Sequence, residues 1–179
     1  MLQAPVATAG GKALDEVVKE SAAVMGEAIG VRRAARVDAG DGVVGSYVHF
    51  NGKIGVLVEV RAGNGSRDAE LVTLARTLAE HVAAAAPVGI DETSVPADVV
   101  ARERAIAEER TRAEGKPEAM LDKIVDGKMK AYFKEITLMH QMWVREPKTS
   151  IAQVVAEAGK KVGAQVTVSR FVRFQLGQE

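Results

Sequence analysis

The chain has 179 residues, enough to bury a core without disulfide or metal staples, as one moderate domain or one domain with an appendage. Its 24 Lys and Arg balance 24 Asp and Glu, so no net field draws it to nucleic acid or to an anionic membrane. The absence of cysteine excludes disulfides, thiolate nucleophiles and cysteine-ligated metals and favours a reducing compartment, and no apolar run approaches the ~20 residues of a membrane span.

From Lys12 to Ile29, Leu14, Val18, Ala22, Met25 and Ile29 recur at helical spacing while Asp15, Glu16, Lys19 and Glu20 take other faces, which predicts an amphipathic helix. The opening stretch before it lacks a basic region followed by an apolar signal core. Val31–Val37 and Val43–Phe50 are rich in β-formers. Asn51-Gly52 ahead of Lys53–Val60 predicts a hairpin whose type I′ turn has positive φ at both central residues. Ser66 is placed to cap a helix whose apolar positions Leu71, Leu74, Ala75, Leu78 and Val82 share one face, with Pro87 marking its end.

From Pro96 to about Arg112 charge dominates, leaving a thin stripe of Val99, Ala105 and Ile106. Gly115-Lys116-Pro117 breaks the chain. Met120, Leu121, Ile124, Val125, Met129, Tyr132, Phe133 and Ile136 then resume at helical spacing, so 96–143 is expected to be an antiparallel helical hairpin. Ser150 and Gln153 have capping-box spacing before a helix carrying Ile151, Val154, Val155 and Ala158, and Gln165–Leu176 closes the chain as a strand. Strands on both sides of the hairpin predict insertion into an α+β fold, a small antiparallel sheet covered by helices. The expected division is an N-terminal helix over 1–30, a core over 31–95 and 144–179, and the inserted arm over 96–143.

No catalytic constellation emerges. His49, His81 and His140 have no metal-ligand spacing, Gly63-Asn64-Gly65 matches neither phosphate-loop pattern, and there is no GxSxG elbow. Neither a metal nor a cofactor is expected, and a small enzyme on this scaffold is the least supported of the function classes.

Several strings, taken together and in order, resemble elongation factor Ts. Met25-Gly26-Glu27-Ala28-Ile29 followed by Val31-Arg32-Arg33 is similar to the family's isoleucine-glycine-glutamate-asparagine-isoleucine helix end and following strand, with Met25 and Ala28 departing from it. Gly45-Ser46-Tyr47-Val48-His49 with Gly52–Val58 resembles its characteristic hairpin. Ala79–Ala84 with Pro87, Gly115–Glu118 with Gly127-Lys128-Met129, Trp143–Thr149, and Arg173-Phe174 follow in the family's order. The resemblance covers roughly residues 14–177.

The resemblance implies a guanine nucleotide exchange factor for elongation factor Tu in peptide elongation, cytoplasmic and of bacterial or organellar origin, working without bond chemistry. It implies partner contacts at Met25, Gly26, His49, Val144 and Arg145, and an arm that reaches the partner's nucleotide domain or self-associates with another copy. Neither direct nucleic-acid nor membrane binding is implied. Family members usually carry an N-terminal ubiquitin-associated-type domain and a threonine-aspartate-phenylalanine-valine motif thought to loosen GDP. Neither occurs here, so a docking module without efficient exchange is the alternative.

Several of these residues also have local readings. His49 can pack or hydrogen-bond within its hairpin, and His81 is expected to be structural. Gly26, Gly45 and Gly55 can permit close backbone approach. The aliphatic residues of 120–136 are expected to form the arm's own seam, and Trp143 is either an anchor at the arm's base or an interface residue.

Overall fold

The computed structural model describes residues 5, 6 and 9–178. Contacts divide the chain into a short unit, Met1–Arg36, and a larger one, Val37–Glu179.

In the short unit, β1 (Pro5–Val6) pairs antiparallel with β2 (Lys12–Ala13), which runs into α1 (Leu14–Met25). The helix stops four residues before the predicted Ile29. Gly26 takes the left-handed conformation, φ 69°, and its N–H closes the last turn on the Ala22 carbonyl at 2.9 Å. The expected stripe is half-buried at Leu14, Val18 and Ala22 but open at Met25. The strand expected at Val31–Val37 does not form. Arg32, Arg33 and Arg36 interrupt the alternation that a half-buried strand needs, and residues 32–36 are exposed.

The larger unit is built on β3 (Val43–Val48) and β4 (Ile54–Ala62), antiparallel with Val43 opposite Val60 and Val48 opposite Gly55. Their turn differs from the predicted one. Gly52 has φ 69°, whereas among the described residues Ala86 is the one non-glycine with positive φ, so Asn51 does not adopt the type I′ conformation. The Gly52 N–H instead bonds the His49 carbonyl at 2.8 Å, while Asn51 Oδ1 accepts from the Lys53 N–H at 3.0 Å. This wider tip displays Phe50, 92% exposed.

The helix α2 (Ala69–Ala85) covers the sheet. All five predicted face residues, Leu71, Leu74, Ala75, Leu78 and Val82, are buried, and a fully buried leucine is worth about 1.5–3 kcal/mol. Ser66 is not its cap: Asp68 holds that position, and the Ser66 hydroxyl accepts from the Asp68 N–H one turn earlier, at 3.2 Å. The helix ends at Ala85, just before Pro87. It approaches β3 closely because of Gly45, whereas Gly55, like Gly26 in the short unit, faces open space, so the expected close approach holds at Gly45 and not at the other two glycines.

After a capped turn, Glu92–Ser94, come α3 (Ala97–Ala113) and α4 (Leu121–Ile136), which pack on each other. The break between them includes Gly115 at φ 69°. Their seam joins Ala107 to Leu121, Val125 and Met129, with Val100, Tyr132 and Phe133 beside it, and is separate from the main core. The expected seam on α4 therefore forms. On α3 it runs through Val100, Ala107 and buried Thr111, at 3.5-type spacing, rather than through Val99, Ala105 and Ile106. Arg104 pairs with Asp126 across the helices at 3.0 Å, and Lys128 with Glu114 at 2.8 Å.

Both ends of this helix pair are anchored at one place. Val88 and Leu138 N–H donate to the Ile136 and Gly89 carbonyls at 2.8 and 2.9 Å, and Leu138 is fully buried in the main core. The chain continues through β5 (Met142–Trp143) and β6 (Glu146–Ser150), then α5 (Ile151–Val162), whose predicted Ser150–Gln153 capping box is present. Finally β7 (Val166–Gln175) pairs antiparallel with β4, giving a three-stranded sheet of order β3-β4-β7. The α+β architecture with a small antiparallel sheet is thus observed. No helix among the described residues is long and apolar enough to cross a membrane.

Candidate docking surface

The hairpin tip, one end of α2 and the β5–β6 turn supply the candidate site in the larger unit. Alternation along β3 points Tyr47 and His49 the same way, and the Tyr47 hydroxyl meets His49 Nδ1 at 3.0 Å. The His49 ring also lies 4.4 Å, centroid to centroid, from Phe50. Both the local hydrogen bond expected of His49 and an accessible position at the tip are therefore present. Tyr47, His49, Ile54, Glu80, Ala83, Ala84 and Arg173 line a cleft of about 280 Å³.

Arg173 enters that cleft from β7. Its guanidinium is held by neutral acceptors, the Gln175 side chain at 2.7 Å, the Gln178 side chain at 3.3 Å and the Ala83 carbonyl at 3.4 Å. Its Nε is buried without an acceptor among the described residues.

Val144 and Arg145 form the two-residue connection between β5 and β6, with Trp143 opposite Glu146. Val144 is 47% exposed and Arg145 is exposed. The Arg145 guanidinium pairs with the Glu80 carboxylate, which is mostly covered and also meets Arg76 at 3.6 Å. Glu80 belongs both to the His49 cleft and to the neighbouring hollow lined by Arg145, so one carboxylate joins the two predicted contact regions. Trp143 is half-buried against the main core, as an anchor at the arm's base would be, with its indole Nε1 buried and lacking an acceptor among the described residues.

Beneath the turn lies His81, fully buried on α2. Its Nδ1 accepts from the Val144 N–H at 3.3 Å, and its Nε2 meets Gln141 Oε1 at 3.0 Å. Burial pushes its pKa below the ordinary value of 6.5, partly opposed by the Gln141 hydrogen bond. The structural role expected of His81 is what its surroundings give it.

Met25 and Gly26 lie in the short unit, at the end of α1, so that unit holds these two candidates and the larger unit the other three. Met25 is 63% exposed and its neighbour Val24 88%. Gly26 is required by its positive φ, since a Cβ there would meet nothing within 4 Å. Among the described residues no cluster of three or more His, Cys, Asp or Glu side chains could hold a metal.

Tyr47, Glu80 and Arg173 fall within strings that carry the resemblance, but sequence reasoning assigned none of them to the site. Tyr47 was detectable, because period-2 alternation puts it on the face of His49. Glu80 and Arg145 are 65 positions apart, and no local pattern pairs them.

Comparison with known proteins places this geometry in context. Residues 2–178 match the family described as Elongation factor TS. An Elongation factor Ts of Oleidesulfovibrio alaskensis is 44% identical over 139 residues, 76% of this chain and 70% of the relative. That of Syntrophotalea carbinolica is 42% identical over 156 residues, 87% of this chain and 51% of the relative. That of Nitratidesulfovibrio vulgaris is 40% identical over 181 aligned positions, 97% of this chain and 62% of the relative. The chain thus spans between 51% and 70% of the length of these curated relatives.

Proposed function

The chain belongs to the elongation factor Ts family, and on that premise we propose that it docks on elongation factor Tu and promotes exchange of GDP for GTP during peptide elongation. The observation that most supports this reading is the joining of His49 and Arg145 into one accessible surface through Glu80. The surface offers aromatic and histidine side chains at the end of a hairpin, a two-residue turn bonded from below, and charges at the rim. Such a mixture suits a protein contact better than a small-molecule site.

Exchange needs no bond chemistry. A factor that binds nucleotide-free partner more tightly than nucleotide-bound partner must, by linkage, weaken nucleotide binding by the same factor. Equal affinity for the two states would shift nothing. In this reading His49, Val144 and Arg145 dock on one face, Met25 and Gly26 add contacts from the short unit, and 96–143 is an inserted arm that reaches the nucleotide domain or pairs with another copy. The protein acts in the cytoplasm and requires no metal or cofactor of its own.

The alternative reading is docking without efficient exchange. Calorimetric titration of the chain into nucleotide-free and GDP-bound elongation factor Tu distinguishes them. Exchange activity requires tighter binding to the nucleotide-free form. Equal affinities would leave docking alone, and no heat with either form would remove both readings.

A further inference from the structure

The Val144–Arg145 turn rests on a directional chain of hydrogen bonds. A backbone N–H can only donate, so the Val144 amide makes His81 Nδ1 an acceptor. In the neutral ring the other nitrogen then carries the proton, and His81 Nε2 donates to Gln141 Oε1 at 3.0 Å. The orientation of Gln141 is set in turn by its Nε2, which donates to the Glu135 carbonyl at 2.7 Å, at the last turn of α4. Each group has one role available. The chain runs from the base of the helix pair, through the fully buried imidazole, to the docking turn.

We propose that His81 is a positioning residue for docking: its neutral Nδ1 holds the Val144 amide, and through it the Val144–Arg145 turn, in one conformation. This deepens the proposed function and rests on it, since it supplies the reason that an exposed two-residue turn can present Arg145 in a fixed place. The Arg145–Glu80 ion pair alone is a weak restraint, because a partly exposed pair holds long side chains at little net gain. The histidine bond acts on the backbone instead and is shielded from water.

A proton on Nδ1 would convert the acceptor into a donor facing another donor, and the turn would be released. Acid therefore separates positioning from mere packing. α2 packs against β3, β4, α5 and β7, whose titratable and charged groups are Tyr47, then Glu59 and Arg61, then Glu157, Lys160 and Lys161, then Arg170 and Arg173; Glu80 precedes His81 on α2, and Glu135, His140, Arg145 and Glu146 flank the residues bonded to its ring. Of these, His140 is bonded to Thr137, Arg145 is bonded to Glu80, and none is bonded to the His81 ring.

The test combines amide hydrogen exchange of Val144 in the free full chain with its dissociation rate from elongation factor Tu, for wild type, His81→Asn and His81→Gln. Asparagine places an oxygen where Nδ1 stands and keeps an acceptor for the Val144 amide. Glutamine reaches toward Gln141 and leaves that amide without its acceptor. The expected result is Val144 protection near wild type in His81→Asn and reduced by about ten-fold in His81→Gln, with dissociation faster by a similar factor only in the latter. Wild-type protection, normalised to intrinsic exchange, should fall on acidification below the ordinary histidine range, whereas His81→Asn should not respond. Equal protection in the two variants, or wild-type protection indifferent to pH, would overturn the proposal. Exchange in the free chain decides this without any partner, so failure to bind elongation factor Tu would count against the proposed function separately.

Discussion

Gly45 of β3 lies directly beneath Ala75 of α2, so close that a Cβ at position 45 would stand 2.2 Å from the Ala75 carbonyl carbon. Nothing there can yield except backbone, since the neighbouring oxygen and the Arg76 nitrogen would each be 2.4 Å away. Gly45→Ala is therefore expected to lift the helix from the sheet and cost at least about 2 kcal/mol, read as a lower urea midpoint. An unchanged midpoint would mean that α2 does not need this approach.

His49→Ala should weaken docking on elongation factor Tu by about 1–2 kcal/mol in calorimetry, the scale of a contributing interface residue. The ring is half-buried and held by Tyr47, so the variant should keep its fold and melting temperature within a few degrees while affinity falls. Full affinity in the variant would remove His49 from the docking surface.

The buried His81 links stability to pH. Its folded pKa is depressed, so the unfolded chain takes up a proton before the folded one does. Its contribution is complete above the unfolded value near 6.5 and is lost as pH falls from there toward the depressed folded value. Over that interval the slope should approach 1.4 kcal/mol per pH unit at most, on the order of one proton. Urea melts at pH 7.5, 6.5 and 5.5 on wild type and His81→Asn should isolate this component, and identical slopes would contradict it.

Removing 97–134 and bridging the ends with a short glycine linker should leave a cooperatively melting protein. The arm's buried residues form their own cluster, while Leu138 and the bonds at 88–90 that anchor its base stay in place. Glu135 is retained because its carbonyl holds Gln141. Loss of a sharp thermal transition would show the arm to be integral to the sheet domain.

Local chemistry with strong periodicity was readable from the sequence. The α2 face, the Ser150–Gln153 cap and the seam positions of α4 are set by residues within one or two turns of each other, and they fold as their spacing dictates. The errors fall where a competing local bond or a tertiary partner decides. Asn51 has the composition of a type I′ turn, yet its side chain bonds Lys53 and Gly52 alone takes the positive φ. Ser66 resembles a cap but serves the turn before Asp68. The stripe on α3 shifted because Ala107 and Thr111 face α4, and a small buried threonine is invisible to a search for large apolar residues.

The candidate surface was legible as separate strings and not as a place. His49, Val144 and Arg145 were identified by resemblance, but their joining depends on Glu80 and on the buried His81, brought together by the packing of the β5–β6 hairpin on α2. Only the fold supplies those contacts.

Stopped-flow release of a fluorescent GDP from elongation factor Tu, with increasing amounts of this chain, tests the proposed function most directly. Docking with exchange predicts a release rate that rises with chain concentration and saturates as the complex fills. A release rate unchanged at concentrations where titration shows the complex to be formed would contradict exchange by this chain.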